Sequence, residues 1–138
     1  MGSLRTKPKS YPALVAARAG GAGWTLRPAS GATLLAGTES TASVQTPADL
    51  LMASLASCLA ISLDMAAERM AVDPGAVELA VTAHIDGDLP RRFNRFEVTV
   101  AVPGIADRAV AAELLERAKR ICTVSHTLNA DIVLGVAA

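Results

Sequence analysis

The segment TPADLLMASLASCLAISLDM, residues 46–65, decides the fold because it predicts one long helix of small and apolar side chains. Thr46 is a favoured N-cap residue, and Pro47 suits the first helical position. The helix should run to about Met70 and end before the turn sequence at residues 73–75, which is Asp-Pro-Gly. Few polar residues interrupt it, and a helix that is apolar nearly all round is normally buried. We therefore expect this helix at the centre of the fold.

The segments on either side of this helix predict strands and two further helical segments. Alternating or turn-bounded runs predict strands, and amphipathic runs predict helices. The predicted strands cover residues 24–27, 32–36, 76–85, 92–102 and 131–136, and the predicted helices cover residues 107–120 and 122–128. This order favours an α+β architecture, with antiparallel strands around the long helix, over a doubly wound parallel sheet. We expect residues 13–138 to form a single domain behind a flexible, basic and polar tail of residues 1–12.

Composition and charge exclude several classes of function. The 138 residues carry 13 basic and 13 acidic side chains, so no net field attracts nucleic acid or an anionic membrane. Aromatic residues make up only 3% of the chain, which is sparse for a base-stacking surface. The most apolar run, residues 50–63, is shorter than the roughly 20 residues of a membrane span. Since the N-terminus also lacks a signal-peptide pattern, we predict a cytoplasmic protein that binds neither nucleic acid nor membrane.

The two cysteines, Cys58 and Cys122, are the candidates for chemistry. Cys58 lies near the middle of the long helix, where a free cysteine is commonly a small core residue. Cys122 follows Lys119 and Arg120, whose charges would lower a thiol pKa. Each cysteine alone is more typical of core packing, and a separation of 64 residues does not tell whether the thiols meet. In a cytoplasmic protein the two are expected to be free or catalytic rather than a permanent disulfide.

A metal site is not expected from the cysteines and histidines. Its ligands would be Cys58, Cys122, His84 and His126, of which only Cys122 and His126 have helical ligand spacing. Structural zinc sites usually bring paired cysteines close together in sequence. The sequence therefore predicts a site without a metal.

Small residues share one face of the long helix. Ala53, Ala56, Ser57 and Ala60 recur at helical spacing, which lets another backbone approach closely. In a chain of 138 residues, covering a helix that is apolar on nearly all sides calls for a second subunit. We therefore expect a homodimer.

Two sequence blocks resemble the OsmC/Ohr family of thiol-dependent hydroperoxide reductases. The first, TPADLLMASLASC at residues 46–58, is similar to the family's proline-initiated central helix, with a cysteine eleven residues after the proline. The second, CTVSHTL at residues 122–128, is similar to the family's C-P-V-S-x-x-L motif. The order of hairpin, long helix, strand pair, helix and final strand also matches, so the resemblance covers roughly residues 13–136. It implies an OsmC-like fold and an intertwined homodimer.

The resemblance implies a two-cysteine peroxidase, in which Cys58 matches the peroxidatic cysteine and Cys122 the resolving cysteine. The Cys58 thiolate would attack the O–O bond of an organic hydroperoxide, and Cys122 would condense with the resulting sulfenic acid to a disulfide. An external dithiol, typically of the lipoyl type in this family, would reduce the disulfide, so no cofactor is expected. Cys58 has apolar neighbours on the helix, and their side chains favour organic over small hydrophilic peroxides. These neighbours are Met52, Leu55 and Leu59.

The resemblance leaves the charged residues of the site open. The family's acid usually follows the helix-starting proline, where this chain has Ala48, so Asp49 is the nearest candidate, although an acid there also caps the helix. The family's arginine lies in the N-terminal strands or the loop before the helix, where the candidates are Arg18 and Arg27. Asp49 lies nine residues before Cys58, about 13.5 Å along a helix axis, and cannot touch it within one chain. An acid that serves the cysteine therefore comes from another element or from a second subunit, which predicts composite sites in an obligate homodimer.

Two other functions remain open at this point. The same fold could carry thiols that sense a redox change or bind a small molecule without peroxidase turnover. Alternatively, the chain could be a small dimeric domain whose cysteines only pack. The family's acid and arginine have no clear match in this chain, which favours sensing or binding over peroxidase turnover. Thiol reactivity tests the alternatives, because inert thiols indicate packing and a fast thiol at neutral pH indicates chemistry.

Overall fold

The computed structural model describes residues 6–18, 21 and 23–138, and nine helices and strands lie within those ranges. In chain order they are β1 (Val15–Ala17), β2 (Trp24–Arg27), β3 (Leu34–Ala36), α1 (Pro47–Met70), β4 (Glu78–Ile85), β5 (Phe93–Ala101), α2 (Arg108–Ile121), α3 (Thr123–Thr127) and β6 (Asp131–Val136). The predicted α+β class is confirmed, and every predicted helix and strand is present to within two residues at each end. β1 is an additional strand, which three residues are too few to reveal by alternation.

The described residues fall into two compact units that divide after residue 49. The first unit holds a three-stranded antiparallel sheet in the order β1-β2-β3, with Val15 opposite Arg27. Residues 6–14 form no helix or strand. The expected flexible tail includes residues 1–5, which lie outside the described residues, and the expected division into a tail and one domain remains a prediction.

The second unit contains most of α1 and a mixed sheet in which β5 lies between β4 and β6. β4 and β5 are antiparallel, with Val81 opposite Val98, whereas β5 and β6 are parallel, with Phe96 opposite Ile132. The parallel pair is an addition to the antiparallel strands that the sequence predicted. β6 is parallel to β5 because α2 and α3 carry the chain back to the end of the sheet at which β5 begins. Any connection between two parallel strands must cross over in this way.

One hydrophobic core joins α1, the mixed sheet and α2. α1 contributes an apolar stripe at spacings of three and four residues, formed by Leu55, Leu59, Leu63, Ala66 and Ala67. β5 contributes every second side chain, namely Phe96, Val98 and Val100, because successive strand residues point to opposite faces. Full burial of one leucine of this kind contributes about 1.5–3 kcal/mol. Cys122 belongs to the same core cluster.

α1 is buried on one face only, since Ile61 and Met65 expose 62% and 40% of their surface. By length and composition alone, α1 is long and apolar enough to cross a membrane. This corrects the expectation that no segment has the length of a span, because Asp49 and Asp64 do not interrupt the helix. The stripe that α1 buries against the sheet and α2 makes it the core helix of this fold.

Candidate active site

The structure brings the two cysteines together. Cys58 lies on α1, Cys122 lies at the junction of α2 and α3, and the two thiols lie close enough for each to shift the pKa of the other. Both thiols are free. Cys58 is half-buried and Cys122 is fully buried. Residues that are 64 positions apart in the sequence thus form one thiol pair, and its accessible sulfur is the one on α1.

The junction between α2 and α3 is built around Cys122. The Cys122 N–H donates to the Ala118 carbonyl oxygen over 3.0 Å, which closes α2, and its extended backbone (φ −67°, ψ 107°) starts α3. The Cys122 Sγ accepts the Ser125 N–H over 3.4 Å, in the manner of an N-cap side chain. The Ser125 hydroxyl lies 2.9 Å from the Cys122 carbonyl oxygen and 3.2 Å from that of Lys119. Ser125 therefore ties the first turn of α3 to the last turn of α2.

Burial raises the pKa of the Cys58 thiol, and four neighbouring hydrogen-bonding groups lower it. These groups are the backbone N–H groups of Val124 and Thr123, the Cys122 thiol and the Ser62 hydroxyl. Their hydrogen bonds stabilise the thiolate and together hold the pKa below its usual range. The stabilisation comes from hydrogen bonds rather than from a charged neighbour.

The environment of Cys122 acts in the opposite direction. Burial and the hydrogen bond with Cys58 raise the pKa of Cys122, and the N–H and hydroxyl of Ser125 offset this only in part. A lowered pKa beside a raised pKa means that Cys58 ionises first while Cys122 keeps its proton. The pair is therefore asymmetric, with a nucleophilic sulfur on α1 and a protonated thiol next to it.

Asp49 stabilises the start of α1. The Asp49 N–H donates to Thr46 Oγ1 over 3.1 Å, and the Thr46 N–H donates to Asp49 Oδ2 over 2.9 Å, which forms a reciprocal capping box. The backbone hydrogen bond from Thr46, followed by those from the Ser40 and Thr46 hydroxyls, lowers the pKa of Asp49. Since Asp49 and Cys58 lie nine residues apart on α1, this carboxylate does not reach the sulfur of its own chain. A part for Asp49 in the cysteine chemistry remains a prediction.

The two candidate arginines belong to the first unit. The Arg18 guanidinium carbon lies 5.4 Å from the centre of the Trp24 ring, within the range of a cation–π contact. Arg27 is the last residue of β2, where it is exposed and lies opposite Val15. A role for either arginine at the cysteines remains a prediction.

The residues expected to contact an apolar substrate lie on the core side of α1. Leu55 and Leu59 expose 0% and 1% of their surface and are core residues, and Met52 is half-buried against the core. They make this side of α1 apolar next to the thiol pair. Their contact with a substrate remains a prediction.

Sequence reasoning missed the groups that hold the two sulfurs. The N–H donors of Thr123 and Val124 belong to the backbone, which no side-chain pattern reveals. Ser62 and Ser125 did leave a signal, because one follows a cysteine by a single helical turn and the other follows a cysteine at the three-residue spacing of an N-cap bond. In the described part of the chain they are the two buried polar side chains.

The histidines contact other groups. His126 Nε2 lies 2.9 Å from the Arg120 carbonyl oxygen, and His84 Nε2 lies 3.6 Å from Glu97 Oε2. Within the ranges that the structure describes, no three His, Cys, Asp or Glu side chains are arranged to hold a metal ion. The thiol pair is thus the feature around which chemistry can be argued.

Comparison with known proteins identifies the relatives of this fold. Residues 40–136 match the family model described as OsmC-like protein, which spans more than half of the chain. No curated protein sequence matches the chain. The resemblance stated from the helix and the second cysteine block is therefore confirmed at the level of the family.

Solved structures share the fold of this chain. An organic hydroperoxide resistance protein OsmC from Legionella pneumophila has a TM-score of 0.75 and 17% identity, with 94% of this chain and 100% of that chain covered. An OsmC-like protein from Mycoplasma pneumoniae has a TM-score of 0.82 and 14% identity, with 95% and 98% covered. An organic hydroperoxide resistance protein from Elizabethkingia anophelis has a TM-score of 0.74 and 16% identity, with 94% and 99% covered. At these identities the structures establish a shared fold.

Proposed function

Since the chain belongs to the OsmC-like protein family, we propose that it is a thiol-dependent peroxidase that reduces organic hydroperoxides. The observation that carries the proposal is the proximity of Cys58 and Cys122, whose pKa values shift in opposite directions. The choice of substrate class is supported by the neighbours from Legionella pneumophila and Elizabethkingia anophelis, which are named organic hydroperoxide resistance proteins.

In the first step of the proposed reaction, the Cys58 thiolate attacks the distal oxygen of the hydroperoxide. An S–O bond forms, the O–O bond breaks, and its electron pair leaves with the alkoxide, which takes up a proton to become the alcohol. Cys58 is oxidised to a sulfenic acid. The N–H groups of Thr123 and Val124 favour this step because they keep the sulfur in its nucleophilic form.

In the second step, Cys122 resolves the sulfenic acid. Its sulfur displaces the hydroxyl group of oxidised Cys58, so that a disulfide forms and water leaves with the proton of the Cys122 thiol. The mutual effect of the two thiols on their pKa values supports a short path to the disulfide. An external dithiol, for which we propose the lipoyl type, returns two electrons and two protons by thiol–disulfide exchange. No bound cofactor takes part in this cycle.

We further propose that the protein acts as an obligate homodimer in the cytoplasm. α1 exposes Ile61, and a groove of about 580 Å³ beside it is lined by small and apolar residues such as Ala53, Ala60 and Leu79. Exposed apolar surface next to small side chains suits the close approach of a second α1 across a two-fold axis. Sedimentation velocity over a range of concentrations tests this, and a stable, folded monomer would contradict it.

Intact mass spectrometry tests the peroxidase cycle. The reduced protein, Cys58→Ser and Cys122→Ser each receive one equivalent of cumene hydroperoxide. We expect the wild type to lose two hydrogens, Cys122→Ser to gain one oxygen on Cys58, and Cys58→Ser to stay unchanged. An unchanged wild-type mass over minutes, with the fold intact by circular dichroism, would overturn the proposal.

A second candidate is a thiol that senses or binds without turnover. It is favoured by one observation: Asp49 caps α1 and Arg18 stacks on Trp24, so the acid and an arginine expected for a peroxidase site have other contacts. This candidate predicts a fast thiol on Cys58 together with an absence of repeated peroxide consumption when excess dithiol is supplied. A steady-state peroxide assay with dihydrolipoamide separates it from the peroxidase.

A further inference from the structure

Ser125 and the turn that it holds carry an inference beyond this chemistry. We propose that Ser125 is a positioning residue, which fixes the turn of residues 122–125 so that the Thr123 and Val124 N–H groups point at the Cys58 sulfur. The inference rests on the proposed function only in taking Cys58 as the reactive thiol. It assigns the nucleophile's environment to a serine that touches neither the substrate nor Cys58.

The position of Ser125 suits this role. It exposes only 9% of its surface, and its hydroxyl lies between two backbone carbonyl oxygens, 2.9 Å from that of Cys122 and 3.2 Å from that of Lys119. Its own N–H donates to the Cys122 Sγ over 3.4 Å. Ser125 thus contacts the end of α2, the carbonyl group that precedes α3 and the sulfur of Cys122. Removing its hydroxyl should therefore change the orientation of α3 relative to α2.

The turn needs such a support, because α3 has only five residues. A helix this short is not stable in isolation. At its two ends, the His126 N–H reaches the Cys122 carbonyl oxygen over 3.4 Å and the Leu128 N–H reaches that of Val124 over 3.1 Å. The first N–H groups of a helical turn have no carbonyl partner within it. Those of Thr123 and Val124 lower the pKa of Cys58 by hydrogen bonding, and their orientation depends on contacts that hold the turn from outside.

A matched pair of variants tests the proposal through the reactivity of Cys58. Ser125→Ala removes the hydroxyl that bridges α2 and α3. Thr127→Ala is the control, because it removes a hydroxyl that also bonds a backbone carbonyl, that of Thr123 over 2.9 Å, but lies wholly within α3. Both are made in Cys122→Ser, where the serine hydroxyl can replace the sulfur as the capping acceptor. Cys58 is then the single thiol, and its iodoacetamide rate is measured from pH 6 to pH 9 together with thiolate absorbance.

We expect Ser125→Ala to slow the alkylation of Cys58 at pH 7 by about three- to tenfold, the range that the loss of hydrogen-bond stabilisation produces. The rate at pH 9 should fall less, because more of the thiol is then ionised in either protein. Thr127→Ala should keep the parent rate, and Ser125→Thr, which retains the hydroxyl, should restore most of it. Peroxide is not needed for this readout, so the inference and the proposed peroxidase function can fail separately.

A parent-like alkylation profile in folded Ser125→Ala would overturn the inference. An equal slowing in Thr127→Ala would do the same, because it would reveal a general effect on α3.

If Ser125→Ala does not fold, Thr123→Pro is the deciding variant, because proline is accepted at the first helical position but has no N–H. A slowed Cys58 in Thr123→Pro supports the inference, and a parent-like rate overturns it. Among the described residues that face Cys58, Cys122 is the other titratable group, and its replacement by serine removes its ionisation from the measured profile.

Discussion

α1 and α3 begin in different ways, although both use a side chain that accepts a backbone N–H. At the start of α1, Thr46 and Asp49 satisfy each other through two reciprocal hydrogen bonds. At the start of α3, the Cys122 sulfur accepts the Ser125 N–H, and the preceding N–H groups, those of Thr123 and Val124, lower the pKa of Cys58. The N–H groups at the start of α1 are thus satisfied within that helix start, whereas N–H groups at the start of α3 act on a reactive side chain of another helix. We call the start of α1 the closed helix start.

This difference explains where the low pKa of Cys58 comes from. The acid that resemblance to the family suggests for the site is engaged in local capping, which lowers its own pKa. The thiolate is instead stabilised by backbone N–H groups and by two neutral side chains, the Cys122 thiol and the Ser62 hydroxyl. A thiol pKa can therefore fall without a charged partner when oriented donors outweigh the cost of burial.

The comparison predicts its largest effect in the relative reactivity of the two thiols. Cys58 is half-buried with a lowered pKa, and Cys122 is fully buried with a raised pKa. We expect iodoacetamide at pH 7 to label Cys58 more than about tenfold faster than Cys122. Timed quenching followed by peptide mass mapping measures both rates in one sample. Equal rates, or faster labelling of Cys122, would show that the turn before α3 does not govern the pair.

A smaller effect is expected when the closed helix start is broken. Thr46→Ala removes the hydroxyl that accepts the Asp49 N–H, and loss of an N-cap of this kind costs about 1 kcal/mol in the free energy of unfolding. Urea denaturation measures the loss. Ser54→Ala, an exposed position on the same helix, is the control and should change the free energy by less than about 0.5 kcal/mol. The alkylation rate of Cys58 should stay unchanged in Thr46→Ala, and a marked slowing would mean that the two helix starts are not independent.

Much of this architecture was predictable because its signals are local. The Thr-Pro start of α1, the alternation of β5 and the amphipathic stripe of α2 each lie within one element, and all three elements are present as expected. The parallel pairing of β5 with β6 was not predictable, because it depends on where α2 and α3 return the chain. The thiol contact was inferred from resemblance alone, since no spacing rule joins residues 64 positions apart. The N–H donors were missed because they belong to the backbone, which is the same for every residue type except proline.

Ser62 offers a finer test, because it is the one donor to Cys58 that lies on α1 itself. Ser62→Ala removes a hydroxyl that is buried with 3% exposure and leaves α3 untouched. We expect Cys58 alkylation at pH 7 to slow by about threefold, at the low end of the range for one neutral hydrogen bond. Ser57→Ala is the matched control, since that exposed hydroxyl bonds the Ser54 carbonyl oxygen over 3.1 Å. A larger effect from Ser62→Ala than from Ser125→Ala would place the control of Cys58 on α1 rather than on the turn before α3.

The smallest effect is expected from Asp49→Asn, and its pH dependence tests whether the acid serves the helix. The folded-state pKa of Asp49 is lowered from an ordinary value of 3.8, so its charged form contributes stability above that pH and loses it as pH falls through the lowered value. Asparagine keeps the acceptor oxygen and lacks the charge. The stability gap between wild type and Asp49→Asn should therefore be present at pH 6 and should narrow below pH 3.8, which urea denaturation at several pH values measures.

The same variant separates capping from catalysis. If Asp49 only closes the start of α1, Asp49→Asn keeps the wild-type alkylation rate of Cys58 at every protein concentration. If its carboxylate instead serves the cysteine of a second subunit, the rates of the two proteins diverge as the dimer forms and coincide on dilution. Two results together would assign Asp49 both roles: a difference in Cys58 reactivity that grows with protein concentration, and a difference in stability that vanishes in acid. The capping residues at the start of α1 would then belong to a site that two subunits share.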